Sequence, residues 1–128
     1  RAISERVWMK SGAYLIIQPT EALTVIDVNS GKNTSGKNAE EYYYKINLEA
    51  AAEISRQLRL RNISGIVIVD FINMAKEEQR KELMHQFRLS LKEDPVPVRL
   101  VDITKLGLVE LTRKKERKTL LEQVAQLR

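Results

Sequence analysis

Asp27 and Asp70 are the residues of this chain best suited to chemistry, because each stands at or near the carboxyl end of an apolar, β-branched run. Brought side by side, two carboxylates repel unless a proton or a cation compensates them, and Mg²⁺ binds one or two carboxylates while keeping several waters. Such an ion orients and activates an attacking water and neutralises charge developing on a phosphodiester oxygen. Asn29 lies two residues beyond Asp27, so on a strand it shares the aspartate's side while Ile26 and Val28 face the other. The structural alternative is that both aspartates merely cap turns or helix starts. His85 is the sole histidine, which excludes a histidine pair acting as acid and base within the chain. Its place mid-helix beside Glu82 and Gln86 marks a surface residue.

The elements that must position these groups are legible from periodicity. Residues 13–18 and 21–29, split by Pro19 and Thr20, predict an antiparallel hairpin. Asn38 followed by Glu41 has capping-box spacing, and Ile46, Ala50, Ile54 and Leu58 then recur on one stripe, predicting a long helix ending near Asn62. Beyond Gly65, the run from Ile66 to Phe71 has the pattern of a central strand covered on both faces. A second helix, from about Ala75 to Leu91, is closed by Pro95 and Pro97. Strands over 98–103 and 108–112 follow, then a helical stripe of Leu120, Val124 and Leu127. Strand, long helix and strand form a βαβ unit, whose crossover makes the two strands parallel so that they end at one edge. Open α/β sheets place their ligand crevice at that edge. Strands roughly 4.8 Å apart would let both carboxylates reach one small cation. The predicted fold class is α/β (α+β): a single domain over residues 1–128, with a mixed sheet, flanking helices and the βαβ unit.

Composition bounds the partners. The 128 residues are 43% hydrophobic and 30% charged, enough for one core and too few for two ordinary domains. With 22 Lys and Arg against 17 Asp and Glu, the net charge of +5 favours an anionic partner. The lack of cysteine excludes a disulfide framework, a thiolate metal site or a thiol nucleophile, and suits a reducing compartment. No apolar run approaches the 18 or so residues of a membrane span, and the opening residues lack the apolar stretch of a signal peptide. A soluble intracellular domain is expected.

Residues 31–38 nearly match the phosphate-binding G-x-x-x-x-G-K-[ST] motif between a strand and a helix, but Asn38 stands where a hydroxyl should bind Mg²⁺. Nucleotide hydrolysis is therefore a minor reading, and Lys32 and Lys37 are kept as candidate contacts to phosphates beside the carboxylates. Their alternative is an ordinary solvated loop. Arg56, Arg59 and Arg61 cannot all share one helical face. The denser cluster Arg113, Lys114, Lys115, Arg117 and Lys118 could clamp a phosphate backbone or form a charged hinge. Tyr42, Tyr43 and Tyr44 at a helix start divide between packing and exposure, and none is singled out.

Several ordered blocks carry a resemblance over nearly the whole chain: residues 10–17 (KSGAYLII), 20–29 (TEALTVIDVN), 47–51 (NLEAA), 56–62 (RQLRLRN), 69–74 (VDFINM) and 106–114 (LGLVELTRK). Together they closely resemble the ribonuclease E/G family, and the chain looks like the DNase I-like catalytic subdomain of those enzymes. The resemblance implies a Mg²⁺-dependent endoribonuclease, with Mn²⁺ as a possible substitute, that cuts single-stranded RNA in messenger RNA decay and in ribosomal and transfer RNA maturation. It implies a bacterial cytoplasm or a chloroplast stroma. The family's metal-binding aspartates match Asp27 and Asp70, and its active-site asparagine matches Asn29. Many members carry a second carboxylate where this chain has Asn73, which weakens any case for an extra acidic ligand there.

The resemblance also implies absent parts: an oligonucleotide-binding barrel before Arg1, and after Arg128 the cysteines that link subunits of a homo-oligomer through zinc. The expectation is a fragment of the catalytic region. A non-catalytic RNA-binding or assembly module, inactive without those flanking domains, is the competing reading.

Overall fold

The computed structural model describes residues 3–32, 35, 36, 38–104 and 107–115. The strands are β1 (Glu5–Trp8), β2 (Tyr14–Pro19), β3 (Thr24–Asn29), β4 (Gly65–Asp70), β5 (Val98–Ile103) and β6 (Leu108–Arg113). Helix α1 (Ala39–Leu60) joins β3 to β4, and α2 (Glu77–Leu91) joins β4 to β5. The six strands form one sheet in the order β1-β2-β3-β4-β6-β5. Among the described residues only β3 and β4 pair in parallel, as the long α1 crossover requires, and the other pairings are antiparallel. The mixed sheet with two helices matches the predicted class.

The core lies between one face of the sheet and the two helices. Leu15 and Ile17 on β2, Ile26 and Val28 on β3, Val67 and Val69 on β4, and Val109 and Leu111 on β6 point the same way. They meet Ile46, Ala50, Ile54 and Leu58 of α1 and Leu83, Phe87 and Leu91 of α2. Burying one such large side chain stabilises the fold by about 1.5–3 kcal/mol. Phe87 is fully buried and meets Phe71 edge-on, their centroids 5.6 Å apart, which anchors α2 beneath the segment that follows β4.

Three details differ from the sequence expectations. Strand β4 is interior in the sheet, but Ile66 is 41% exposed while Val67 and Val69 are fully buried, so among the described residues only one face is covered. Asn38 makes no side-chain cap; its backbone is already helical and its carbonyl accepts the Tyr42 N–H, leaving Glu40 and Glu41 to complement the helix dipole. Four-residue β1, charged and half polar, carries too little apolar alternation to be read as a strand and forms by pairing with β2. The helical stripe of Leu120, Val124 and Leu127 lies outside the described residues. The end of α1 falls where expected, in a Schellman closure: the Ile63 N–H reaches the Leu58 carbonyl, the Asn62 N–H reaches that of Arg59, and Asn62 takes φ 50°.

Arg113 corrects a further expectation. Its place in a basic cluster predicts a contact to RNA phosphates, yet its side chain is 3% exposed and pairs with Asp94, itself 1% exposed, through Nε to Oδ2 at 2.8 Å and Nη2 to Oδ1 at 3.1 Å. Nη1 donates to Asn62 Oδ1 and to the Ile63 carbonyl, both at 3.0 Å. One guanidinium thus ties the end of β6 to the α2–β5 connection and to the α1–β4 turn. Burial alone would raise the Asp94 carboxyl, but hydrogen bonds from Arg113 and the Val96 amide, with the charges of Arg113 and Arg59, hold it below the ordinary value of 3.8. A carboxyl depressed in the folded state contributes stability above its unfolded value and loses it as the pH falls through the folded one. Asp94→Asn should therefore cost about 3 kcal/mol or more in urea unfolding at pH 7. The gap to the parent should narrow below pH 3.8; a pH-independent difference would show that the ion pair is not its source.

Candidate metal centre

The parallel register of β3 and β4 runs from Thr24 opposite Val67 to Asp27 opposite Asp70. The two aspartates are therefore direct cross-strand partners, and both face away from the helices because Ile26, Val28 and Val69 fill the core side. Asp27 is half-buried and Asp70 exposed. Burial first, then a hydrogen bond and like charge shared with Asp70, push the Asp27 carboxyl above its ordinary value. Asn29 stands two residues on along the same side of β3. All three line a cleft of ≈ 410 Å³ at the carboxyl edge of these strands, with Asn73, Arg80 and Met84 across it.

Buried polar contacts fix the floor of this cleft. Asn47, fully buried on α1, donates Nδ2 to the Ile72 carbonyl at 2.8 Å and accepts the Ile72 N–H on Oδ1 at 3.0 Å. It substitutes for a strand neighbour just where β4 ends, so the chain leaving Asp70 has its backbone groups satisfied. Arg80 of α2 donates Nη1 to the carbonyls of Met74 and Ala75, at 2.7 and 2.9 Å. On the other side Gly31, at φ +80°, lies so close to the β1–β2 turn that a Cβ there would sit 2.6 Å from the Gly12 carbonyl oxygen. That glycine serves backbone packing, whatever its resemblance to a phosphate loop. Asn47 escaped notice in the sequence although the signal was present: it shares the helical stripe of Ala50, Ala51, Ile54 and Leu58, where a polar side chain must find a partner. Arg80 had no such signal.

The donor set fits a small hard cation. Asp27 and Asp70 offer oxygen ligands as direct cross-strand partners, and Mg²⁺ needs no more than one or two carboxylates. Among the described residues no group of three or more His, Cys, Asp or Glu side chains converges, so a closed zinc site has no ligands here. Asn29 Nδ2 is buried without a hydrogen-bond partner among the described residues, an unsatisfied donor beside the cleft.

The model of the Ribonuclease E/G family matches residues 1–116. Ribonuclease E of Synechocystis sp. is 48% identical over 125 residues, covering 98% of this chain and 18% of that protein. Ribonuclease G of Escherichia coli K12 is 42% identical over 120 residues, covering 94% and 24% respectively. Ribonuclease G of Haemophilus influenzae is 43% identical over 119 residues.

The chain belongs to the ribonuclease E/G family. It spans 18% to 24% of the length of these ribonuclease E and G relatives. Three of the blocks that resemble the ribonuclease E/G family fall on pieces that line or brace the cleft: β3 with Asp27 and Asn29, α1 with Asn47, and the end of β4 through Met74.

The basic residues singled out in the sequence do not share one place. Lys32 is exposed beside Asn29, its Nζ 5.3 Å from the Tyr42 ring centroid. Lys37 lies outside the described residues. Lys114 is exposed but follows Arg113, which pairs with Gly65 at the start of β4. That puts it at the opposite edge of the sheet, roughly 20 Å from Asp70 at the rise of a strand. Arg56 pairs with Glu53 and Arg61 with Glu5, while His85 is exposed on α2 as expected.

A carboxyl raised in the folded state contributes stability below its unfolded value and loses it as the pH rises through the folded one, so at neutral pH Asp27 is a cost. In metal-free buffer at pH 7, Asp27→Asn should unfold at higher temperature than the parent. The gain should be a few tenths to about 1 kcal/mol, the cost of like charges directly opposite on paired strands. It should shrink toward pH 4, and a lower melting temperature for the variant at pH 7 would contradict the repulsion.

Proposed function

We propose that the chain is the catalytic part of a Mg²⁺-dependent endoribonuclease, with Mn²⁺ as an alternative ion, acting on single-stranded RNA in RNA processing and messenger RNA decay. The observation that carries this reading is the direct pairing of Asp27 with Asp70 at the carboxyl edge of the one parallel pair, in a chain of the ribonuclease E/G family. Bound there, Mg²⁺ supplies a Lewis acid for a phosphodiester oxygen and an acidified water. Asp27 and Asp70, direct cross-strand partners, would hold it. Asn29 presents its unpaired Nδ2 to the phosphate or to the attacking water. Lys32 offsets the charge of the incoming backbone, and Lys37, five residues on in the sequence, is proposed to do likewise. Asn47 and Arg80 are positioning residues that keep the floor from moving when charge builds up.

A labelled single-stranded RNA incubated with the 128-residue chain and Mg²⁺ should be cut, and EDTA should stop the cutting. Asp27→Asn and Asp70→Asn should each lower the rate about a hundredfold or more, the scale of removing a group that stabilises transition-state charge. Variants that cut as well as the parent would remove the assignment. The chain's short span relative to ribonucleases E and G supports one other reading, a non-catalytic RNA-binding module. Salt-sensitive RNA binding with no metal-dependent cleavage would favour it.

A further inference from the structure

A second cleft, of ≈ 490 Å³, opens on the helix-free face beside the first and is lined by Arg6, Trp8, Tyr14, Asn29, Ser30, Gly31 and Lys32. Trp8 is 61% exposed on edge strand β1, an unusual place for the chain's one tryptophan. Its ring meets Tyr14 at 4.9 Å between centroids with a 52° tilt. The Arg6 guanidinium lies 4.3 Å from the Tyr14 centroid and 5.4 Å from that of Trp8, so the aromatic group is held in place by a cation at its side. Among the described residues no carboxylate lines the cleft, and Arg6 and Lys32 give it positive charge.

The register connects this group to the aspartates. Trp8 is the cross-strand partner of Tyr14, and Tyr14 that of Asn29, so the three side chains stand in a row on one face. Two strand spacings, about 10 Å, separate Trp8 from Asn29. Asn29 lines both clefts, and Asp27 is the next residue along β3 on that side. An anionic strand lying over Asp27 and Asp70 and continuing toward the sheet edge would therefore meet the exposed Trp8 ring and the Arg6 guanidinium that lies over Tyr14. Planar bases stack on such rings and on guanidinium planes whatever their identity, while the cations track the backbone.

We propose that Arg6, Trp8 and Tyr14 form a base-stacking subsite that receives a nucleotide of single-stranded RNA beside the Asp27 and Asp70 centre, an inference that rests on the proposed function. It contributes affinity with little choice of sequence. A protein partner on an Arg and Trp patch is the other chemical possibility, but only a nucleic acid explains the continuity with the carboxylate cleft.

Because Trp8 is the one tryptophan, its fluorescence reports the subsite directly. In EDTA, a short single-stranded oligoribonucleotide titrated into the 128-residue chain should quench it saturably, and an abasic oligomer of equal charge should not. Trp8→Ala should weaken binding about 5- to 150-fold, followed by anisotropy of a labelled strand, and Trp8→Phe should recover most of the loss. RNA binding that leaves Trp8 fluorescence unchanged, or equal quenching by the abasic oligomer, would overturn the subsite and leave the patch to a protein partner. The two readings separate in Asp27→Asn: quenching retained while metal-dependent cleavage disappears supports both. Metal-dependent cleavage by a parent whose Trp8 stays silent removes the subsite alone. Quenching by RNA with cleavage indifferent to Asp27→Asn and Asp70→Asn removes the metal centre alone.

Discussion

The parallel pairing of β3 with β4 is the constraint on which the rest of the structure depends. Parallel neighbours cannot be joined by a tight turn, so the chain must cross over, and α1 is that crossover. The crossover lays Ile46, Ala50, Ile54 and Leu58 across the sheet and so defines which side becomes the core. With Ile26 and Val69 committed to that side, the two-residue period turns Asp27 and Asp70 outward together. A slip of one residue in the pairing would bury one carboxylate in the apolar core and break the alternation of the strand that carried it. The register that the hydrophobic core demands is thus the same register that makes the two carboxylates partners.

Placing like charges opposite each other works against the fold, and the surrounding structure holds them there. Asn47 reaches from the middle of α1 to both backbone groups of Ile72, so the segment after Asp70 is tied to the helix that created the parallel pair. Arg80 does the same from α2 through the carbonyls of Met74 and Ala75. At the opposite end of the sheet, Arg113 joins β6, the α1–β4 turn and Asp94, so β4 is fixed at its start as firmly as at its finish. Each of these side chains satisfies backbone or charged groups that would otherwise be buried unpaired, a cost greater than the net worth of the bonds.

The course of the chain from β2 to Asp70 is readable because it follows from periodicity and turn chemistry. Residues 66–71 had to be a strand, the stripe beginning at Ile46 had to be a helix, and the topology rule then brought Asp27 and Asp70 to one edge. What sequence could not supply was the depth at which a charge lies. Arg113 sits in a run of basic residues that has the composition of a solvated cluster, and only tertiary placement beside Asp94 shows that it is internal. Lys114, its neighbour, is exposed but separated from Asp70 by the length of β4. The apolar run of β4 likewise could not say whether one face or two would be covered, since Ile66 and Val67 read alike as letters and differ only in what lies above them. Strand β1 lacked a local signal altogether and exists through its partner.

The two faces of the sheet divide the physical tasks. Charge is expensive on the helix side, and the arginine buried there, Arg113, is matched bidentately. On the open side Asp27 and Asp70 keep contact with water, where carboxylates can exchange a proton for a cation at modest cost. A polyanion approaching bare carboxylates would be repelled, whereas the excess of +5 over the chain favours its approach. In the proposed function these opposing fields are reconciled by a cation at the aspartates, with Arg6 and Lys32 on one flank and Arg80 on the other. The carboxylates then select the metal, the basic groups select the polyanion, and neither needs to be buried for the other to act.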